Sequence, residues 1–396
     1  MNTKIIPLIF TVLLGLSPLI RISREQDYIS RDTKLFFILC LIALGFFFWT
    51  YHSRVQKTIP KIVPLILIII GSSFIGSFGF HVVPTLFFLG SVLFGIAVWT
   101  MLSHKLVDTR ILLLTLVGCI ALYSQWGIAQ FIAQRDLGMS VIGESRIDPT
   151  SRAIASFYLN DQKYIRGYGP FAHSNSLSGS IALGCILLTF IFPKQVGRHQ
   201  HRVYLYAILA MFALGSLTTF SRAGILASGI SLIVIGIRGN YKVFIPIFLS
   251  CILFLPILFG RSFDSHGVAL ADRAEGFTWL REMETPSDLV RGYGIGNYET
   301  ALKKYLEKNS VPHNMWDIAP IHSVPLLLFT ELGAPLFLIL CSITILFFLG
   351  SSMWIIIALL PPLLLDHYFV TQLGPLLWLI TSTILGVQYK REHRTD

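Results

Sequence analysis

The stretch Ile321–Leu349, IHSVPLLLFTELGAPLFLILCSITILFFL, contains no lysine, arginine or aspartate; its acid–base side chains are His322 at the start, Glu331 inside it and the thiol of Cys341. A run this long and this apolar can cross a hydrocarbon core of about 30 Å. A segment in lipid must satisfy its own backbone N–H and C=O groups, which a helix does and a lone extended strand does not. The stretch therefore predicts a transmembrane helix with polar chemistry gathered at one end. Just upstream, VPHNMWDIAP adds His313, Asn314 and Asp317 to that end.

Similar runs recur along the 396 residues. The chain is 54% apolar and 13% charged, against about a quarter charged in soluble domains, which excludes an ordinary soluble globular protein. About twelve spans are predicted, at 4–20, 35–51, 62–80, 83–102, 110–133, 175–193, 203–220, 223–238, 242–260, 321–349, 352–369 and 372–388. The expected fold is an all-α, polytopic transmembrane helical bundle with a large extracytoplasmic loop carrying short helices. It divides into helices one to five (1–133), an extracytoplasmic loop (134–174), helices six to nine (175–260), a large second loop (261–320), and helices ten to twelve with a tail (321–396). The first span follows Lys4 and has no A-x-A site behind it, so it reads as an anchor rather than a cleaved signal. Cys40, Cys119, Cys185, Cys251 and Cys341 all fall within predicted spans and read as small packing residues.

Lysine and arginine in short loops mark the cytoplasmic side. With the N-terminus inside, one set of loops holds Arg54, Lys57, Lys61, Lys105, Arg110, Lys194, Arg198, Arg202, Arg238 and Lys242, and the tail adds Lys390, Arg391 and Arg394. The opposite set includes a first loop with Arg21, Arg24, Arg31 and Lys34, offset by Glu25, Asp27 and Asp32. The aggregate places both long loops outside the cytoplasm. The formal charge of +10 partly reflects this bias and does not argue for nucleic acid.

The candidate chemistry collects on that outer side. His322 offers an imidazole, the side chain suited to proton transfer near neutral pH, although a lone histidine there also serves as an interfacial cap. Glu331 lies about two and a half turns further along; a carboxylate at that depth marks function or a buried polar pairing. His313, Asp317 and His322 are spaced unlike any common zinc signature. In IRGYGPFAHSNSLSG, Arg166 precedes a turn leading to His173 and Asn175; Arg222 sits in TTFSRAGILASG and Arg273 in LADRAEGFTWL. Arginine offers a fixed fork of donors that suits phosphate oxygens; singly, each is equally an ordinary interface arginine. Gly292, Gly294 and Gly296 in RGYGIGNYETALKKYLEK lack the βαβ context of a dinucleotide fingerprint and read as a turn before a surface helix. Asp366 in LLLDHYFVTQLG could orient a histidine, pair an arginine or cap the next helix.

A base and several arginines at membrane level, away from cytoplasmic nucleotides, suit a lipid-diphosphate glycan donor. Arginines would stabilise charge on the departing diphosphate, and a histidine would deprotonate the attacking hydroxyl.

These segments resemble those of bacterial O-antigen ligases and the related O-antigen and capsule polymerases. GPFAHSNSLSG is similar to the family's G-x-F-x-H/N-P-N-x-L-A, with Ser174 in place of the proline. FSRAGIL, GYGIGNYE, IHSVPLLLFTELGAPL and LDHYF resemble its arginine, glycine, histidine–glutamate and late aspartate segments, in the same order over about 150–370. The resemblance implies about twelve helices in the bacterial inner membrane, a periplasmic site, an undecaprenyl-diphosphate-linked donor, inversion at the transferred sugar, and no metal or other cofactor. It implies His322 as base, with Arg222 and Arg273 at the diphosphate, and Arg166, His173, Asn175, His313, Glu331 and Asp366 at substrate. A ligase transfers to lipid A–core and a polymerase to another lipid-linked glycan; the ligase is the first expectation. A polysaccharide transporter or flippase is the expectation from another class, although no internal repeat or broken mid-membrane helix points to one.

Overall fold

A computed structural model describes residues 76, 82–103, 109–139, 144–147, 150, 154–159, 162–171, 173–195, 199–239, 278–311, 318, 321–348, 359–361, 363–364, 376–377 and 380–384. Among them the chain is mostly helical. In order come α1 (Val82–Ser103), α2 (Thr109–Ala133), a hairpin of β1 (Ser156–Leu159) and β2 (Gln162–Ile165), α3 (Ser174–Gln195), α4 (His199–Thr218), α5 (Arg222–Gly239), α6 (Pro286–Arg291), α7 (Tyr298–Lys308) and α8 (Val324–Phe348). Two helical stretches, Ile111–Ala133 and Val324–Ser342, are long and apolar enough to cross a membrane by length and composition.

Helices stand where the apolar runs 83–102, 110–133, 175–193, 203–220, 223–238 and 321–349 were expected. The described pieces of 352–369 and 372–388 are helical too. The runs 4–20, 35–51 and 242–260 lie outside the described residues, as does 62–80 apart from Gly76.

Helices α2 to α5 pack together around an apolar cluster that includes Leu112, Leu116, Ile120, Tyr123, Leu177, Ile181 and Phe212. Their contacts are made at small residues. A side chain at Gly184 would meet the Phe212 ring at 2.8 Å, one at Gly215 would meet Ser124 at 2.8 Å, and one at Gly224 would strike the Ser178 hydroxyl. Lipid tails are as apolar as leucine, so close backbone approach is what membrane helices gain from such positions. Gly224 near the start of α5 meets Ser178 near the start of α3, so these two helices begin at the same end of the bundle, with α4 returning between them.

Helix α8 is not continuous. Gly333 (φ 74°, ψ 160°) breaks it, and Pro335 follows, so the run 321–349, read from the sequence as one unbroken span, is broken within its apolar stretch. Proline has no N–H, so the carbonyl four residues earlier loses its helical donor. That carbonyl belongs to Glu331, and the N–H of Gly294 fills it at 2.9 Å; Tyr293 N–H donates likewise to Thr330 O at 2.9 Å. Burial changes at the break: Val324–Gly333 is buried or half-buried throughout, whereas Pro335, Leu338 and Ile339 are exposed.

Candidate functional site

The segment that carries Arg166 is held from α2. Gln130, fully buried, accepts the N–H groups of Tyr168 (3.1 Å) and Gly169 (2.7 Å) at its side-chain oxygen and donates to Gly169 O (3.0 Å). The same amide nitrogen donates to Glu144 Oε1 at 2.7 Å. Glu144, also buried, accepts in addition from Trp126 Nε1 (3.0 Å), Leu137 N (2.8 Å) and Met139 N (2.6 Å). Just past the end of α2, Gln134 pairs with the Ile165 backbone, accepting its N–H at 2.8 Å. The Tyr168 hydroxyl accepts the Ala155 N–H, tying the hairpin down. Burial pushes that phenol up to about 12, against the opposing pull of Arg166 and the Ala155 N–H.

Arg166 bridges three elements. Its Nε donates to Thr219 O in the turn between α4 and α5, and Nη2 donates to Asn175 Oδ1 at 2.8 Å. The backbone repeats the tie: Gly167 N–H donates to Thr218 O at 2.8 Å. Asn175 N–H in turn donates to His173 Nδ1 at 3.2 Å, so the imidazole satisfies an amide at the start of α3. Arg222 is the first residue of α5, half-buried, three positions after Thr219. Arg166, His173, Asn175 and Arg222 therefore gather where α3 and α5 begin. The dipole at a helix start favours negative charge, and two such starts with arginines suit an anion.

Glu331 belongs to a second assembly. Its buried carboxylate accepts the N–H groups of Tyr298, at 3.5 Å, and Gly296, where α7 begins. A side chain at Gly292 (φ +69°) would meet Gly333 N at 2.5 Å, and one at Gly333 would meet Gly292 N at 2.8 Å. The glycine segment and the Glu-x-Gly-x-Pro segment are thus two halves of one latch: the glycines admit close backbone contact, and the break in α8 frees the carbonyls they donate to. The latch carries His322. Ile321 and Leu327 pack with Tyr298, Leu302 and Leu306 of α7, and Ser323 O accepts Leu327 N–H at 2.9 Å, which fixes half-buried His322 just ahead of α8.

Arg273, His313 and Asp366 lie outside the described residues, as does Asp317. Among the described residues no three of His, Cys, Asp and Glu are placed to hold a metal. Sequence reasoning did not single out Trp126, Gln130 and Glu144. The available signal was Gln130 inside an apolar run, because a polar side chain at such a position needs a partner.

Among the described residues the fold and site define a largely helical protein with two stretches long and apolar enough to span a membrane and a polar cluster at the shared start of two packed helices. No protein-family model, curated protein or solved structure matches the chain.

Proposed function

We propose that the protein is a multi-pass glycosyltransferase of the inner membrane, with about twelve transmembrane helices, moving a glycan from an undecaprenyl-diphosphate donor to a sugar hydroxyl at the periplasmic face. The observation that carries this reading is the meeting of IRGYGPFAHSNSLSG and TTFSRAGILASG at the start of α3 and α5 through Arg166, Asn175 and Thr219. Two segments about fifty residues apart, each with an arginine, form one basic cluster beside helix N-termini, which suits a diphosphate.

In the proposed step His322 takes the proton of the acceptor hydroxyl. The oxygen attacks the anomeric carbon from the face opposite the diphosphate, the bond from that carbon to the diphosphate oxygen breaks, and the configuration inverts. Arg222 and Arg273 balance the charge that develops on the departing undecaprenyl diphosphate. The likeness of the sequence to O-antigen ligases favours lipid A–core as acceptor. A second lipid-linked glycan, as in O-antigen and capsule polymerases, is the alternative within the class.

The test is transfer by the purified protein from an undecaprenyl-diphosphate-linked oligosaccharide, in excess EDTA, offered lipid A–core or a second lipid-linked oligosaccharide. Extension of lipid A–core supports the ligase and a ladder of lipid-linked products the polymerase. Absence of both products, with passage of the lipid-linked glycan across vesicles instead, would replace the enzyme by a flippase.

A further inference from the structure

Gln130 and Glu144 carry no part of the proposed reaction, and both are buried in a polar network. Each hydrogen bond of Gln130 ends on the 168–169 backbone or on Glu144. Two residues before Tyr168, Arg166 has its Nε and Nη2 directed at Thr219 O and Asn175 Oδ1. We propose that Gln130 and Glu144 are positioning residues for the basic cluster, acting through Arg166, which aligns the starts of α3 and α5 and so presents Arg222.

The physical argument is one of over-determination. A loop backbone buried beside a helix must have each N–H and C=O paired. Gln130 supplies both an acceptor and donors to Gly169 from a helix packed against α3 and α4. The donors around Glu144 come from α2 (Trp126, Gln130) and from the loop leaving it (Leu137, Met139), so Glu144 orients the Gln130 amide, its nitrogen towards Gly169 O and its oxygen towards the Tyr168 and Gly169 N–H groups. A displacement of segment 166–169 would pull Arg166 off Thr219, three residues ahead of Arg222. Positioning of about an ångström is what such a shell secures for a binding site.

This inference rests on the diphosphate reading, and the test separates the two. Binding of undecaprenyl diphosphate to the full chain in nanodiscs is measured for wild type, Gln130→Ala, Arg166→Ala and the double variant, with thermal unfolding recorded on each. Action through Arg166 predicts roughly tenfold weaker binding in each single variant. It also predicts a double variant no weaker than the weaker single, the mark of residues working as one unit. Glu144→Gln, which keeps the shape and removes the charge, is carried through the same cycle. Wild type that does not bind undecaprenyl diphosphate removes the diphosphate reading itself. Wild type that binds, with losses that add in the double variants, overturns the positioning role. Failure of both Gln130→Ala and Glu144→Gln to fold also overturns it, since the network would then hold the fold rather than the site.

Discussion

Glu331 is a carboxylate in an apolar helix that the backbone engages: its oxygens accept N–H groups at the start of α7. Glu331→Ala leaves those donors without an acceptor, a loss of about 1–3 kcal/mol for a buried group. Glu331→Gln keeps one acceptor oxygen and is expected to lose less. Thermal unfolding in detergent ranks the three, and an alanine variant as stable as wild type would show the capping contact to be idle. Arg222 makes the opposite prediction. In the proposed reaction its fork balances the charge on the departing diphosphate. Arg222→Lys should therefore keep stability and expression but lose much of the transfer rate, because lysine keeps the charge and not the fork. Equal activity would mean that a diffuse positive field is sufficient. Tyr168 adds a dependence on pH. Burial raises its phenol from 10 to about 12, so the folded state holds this proton more tightly than the unfolded chain does. The associated stability is complete below about pH 10 and is lost as pH rises towards about 12. Tyr168→Phe should flatten that alkaline slope in an unfolding titration.

At the scale of elements, the break in α8 and the glycine segment explain one another. Pro335 withholds a donor from Glu331 O, and Gly294 supplies it. Gly333→Ala disfavours the φ of 74° and sets a Cβ against Val290 O, so the glycine segment should loosen and the Gly294 amide should exchange its hydrogen faster. Unchanged exchange would show that the segment is held by other contacts. This pairing was not legible in the sequence. Gly292, Gly294 and Gly296 read as a turn before a surface helix, and α7 does follow. What they dock against lies some forty residues away, and nothing in local periodicity announces a partner at that distance. The helices themselves were legible because apolar runs of spanning length leave the backbone few alternatives. The Gln130–Glu144 network was not, since Glu144 lies outside the apolar run and its role depends on four donors that only folding brings to it. The cluster of Arg166, His173, Asn175 and Arg222 stands between these cases. Its residues were named by type and side, and their joining through Thr219 and Asn175 is a product of the α3–α5 packing.

For the whole molecule, the proposal needs the starts of α3, α5 and α8 to face the same compartment. A cysteine at Asn309, just past α7, should react with an impermeant thiol reagent in intact cells, whereas one at Gly197, between the apolar runs of α3 and α4, should not. Equal or reversed labelling would put the basic cluster on the wrong side for a periplasmic transfer. The central claim is that a base at His322 acts on a donor held elsewhere, by the arginines. It is tested most directly by measuring glycan transfer and donor binding together on purified His322→Ala. A positioned general base contributes roughly 10²–10⁴ in rate, so the account predicts transfer reduced by about a hundredfold or more with the undecaprenyl-diphosphate-linked donor still bound near wild-type affinity. Transfer at the wild-type rate by His322→Ala would contradict it, and a loss carried by His313→Ala instead, with donor still bound, would move the base to that residue.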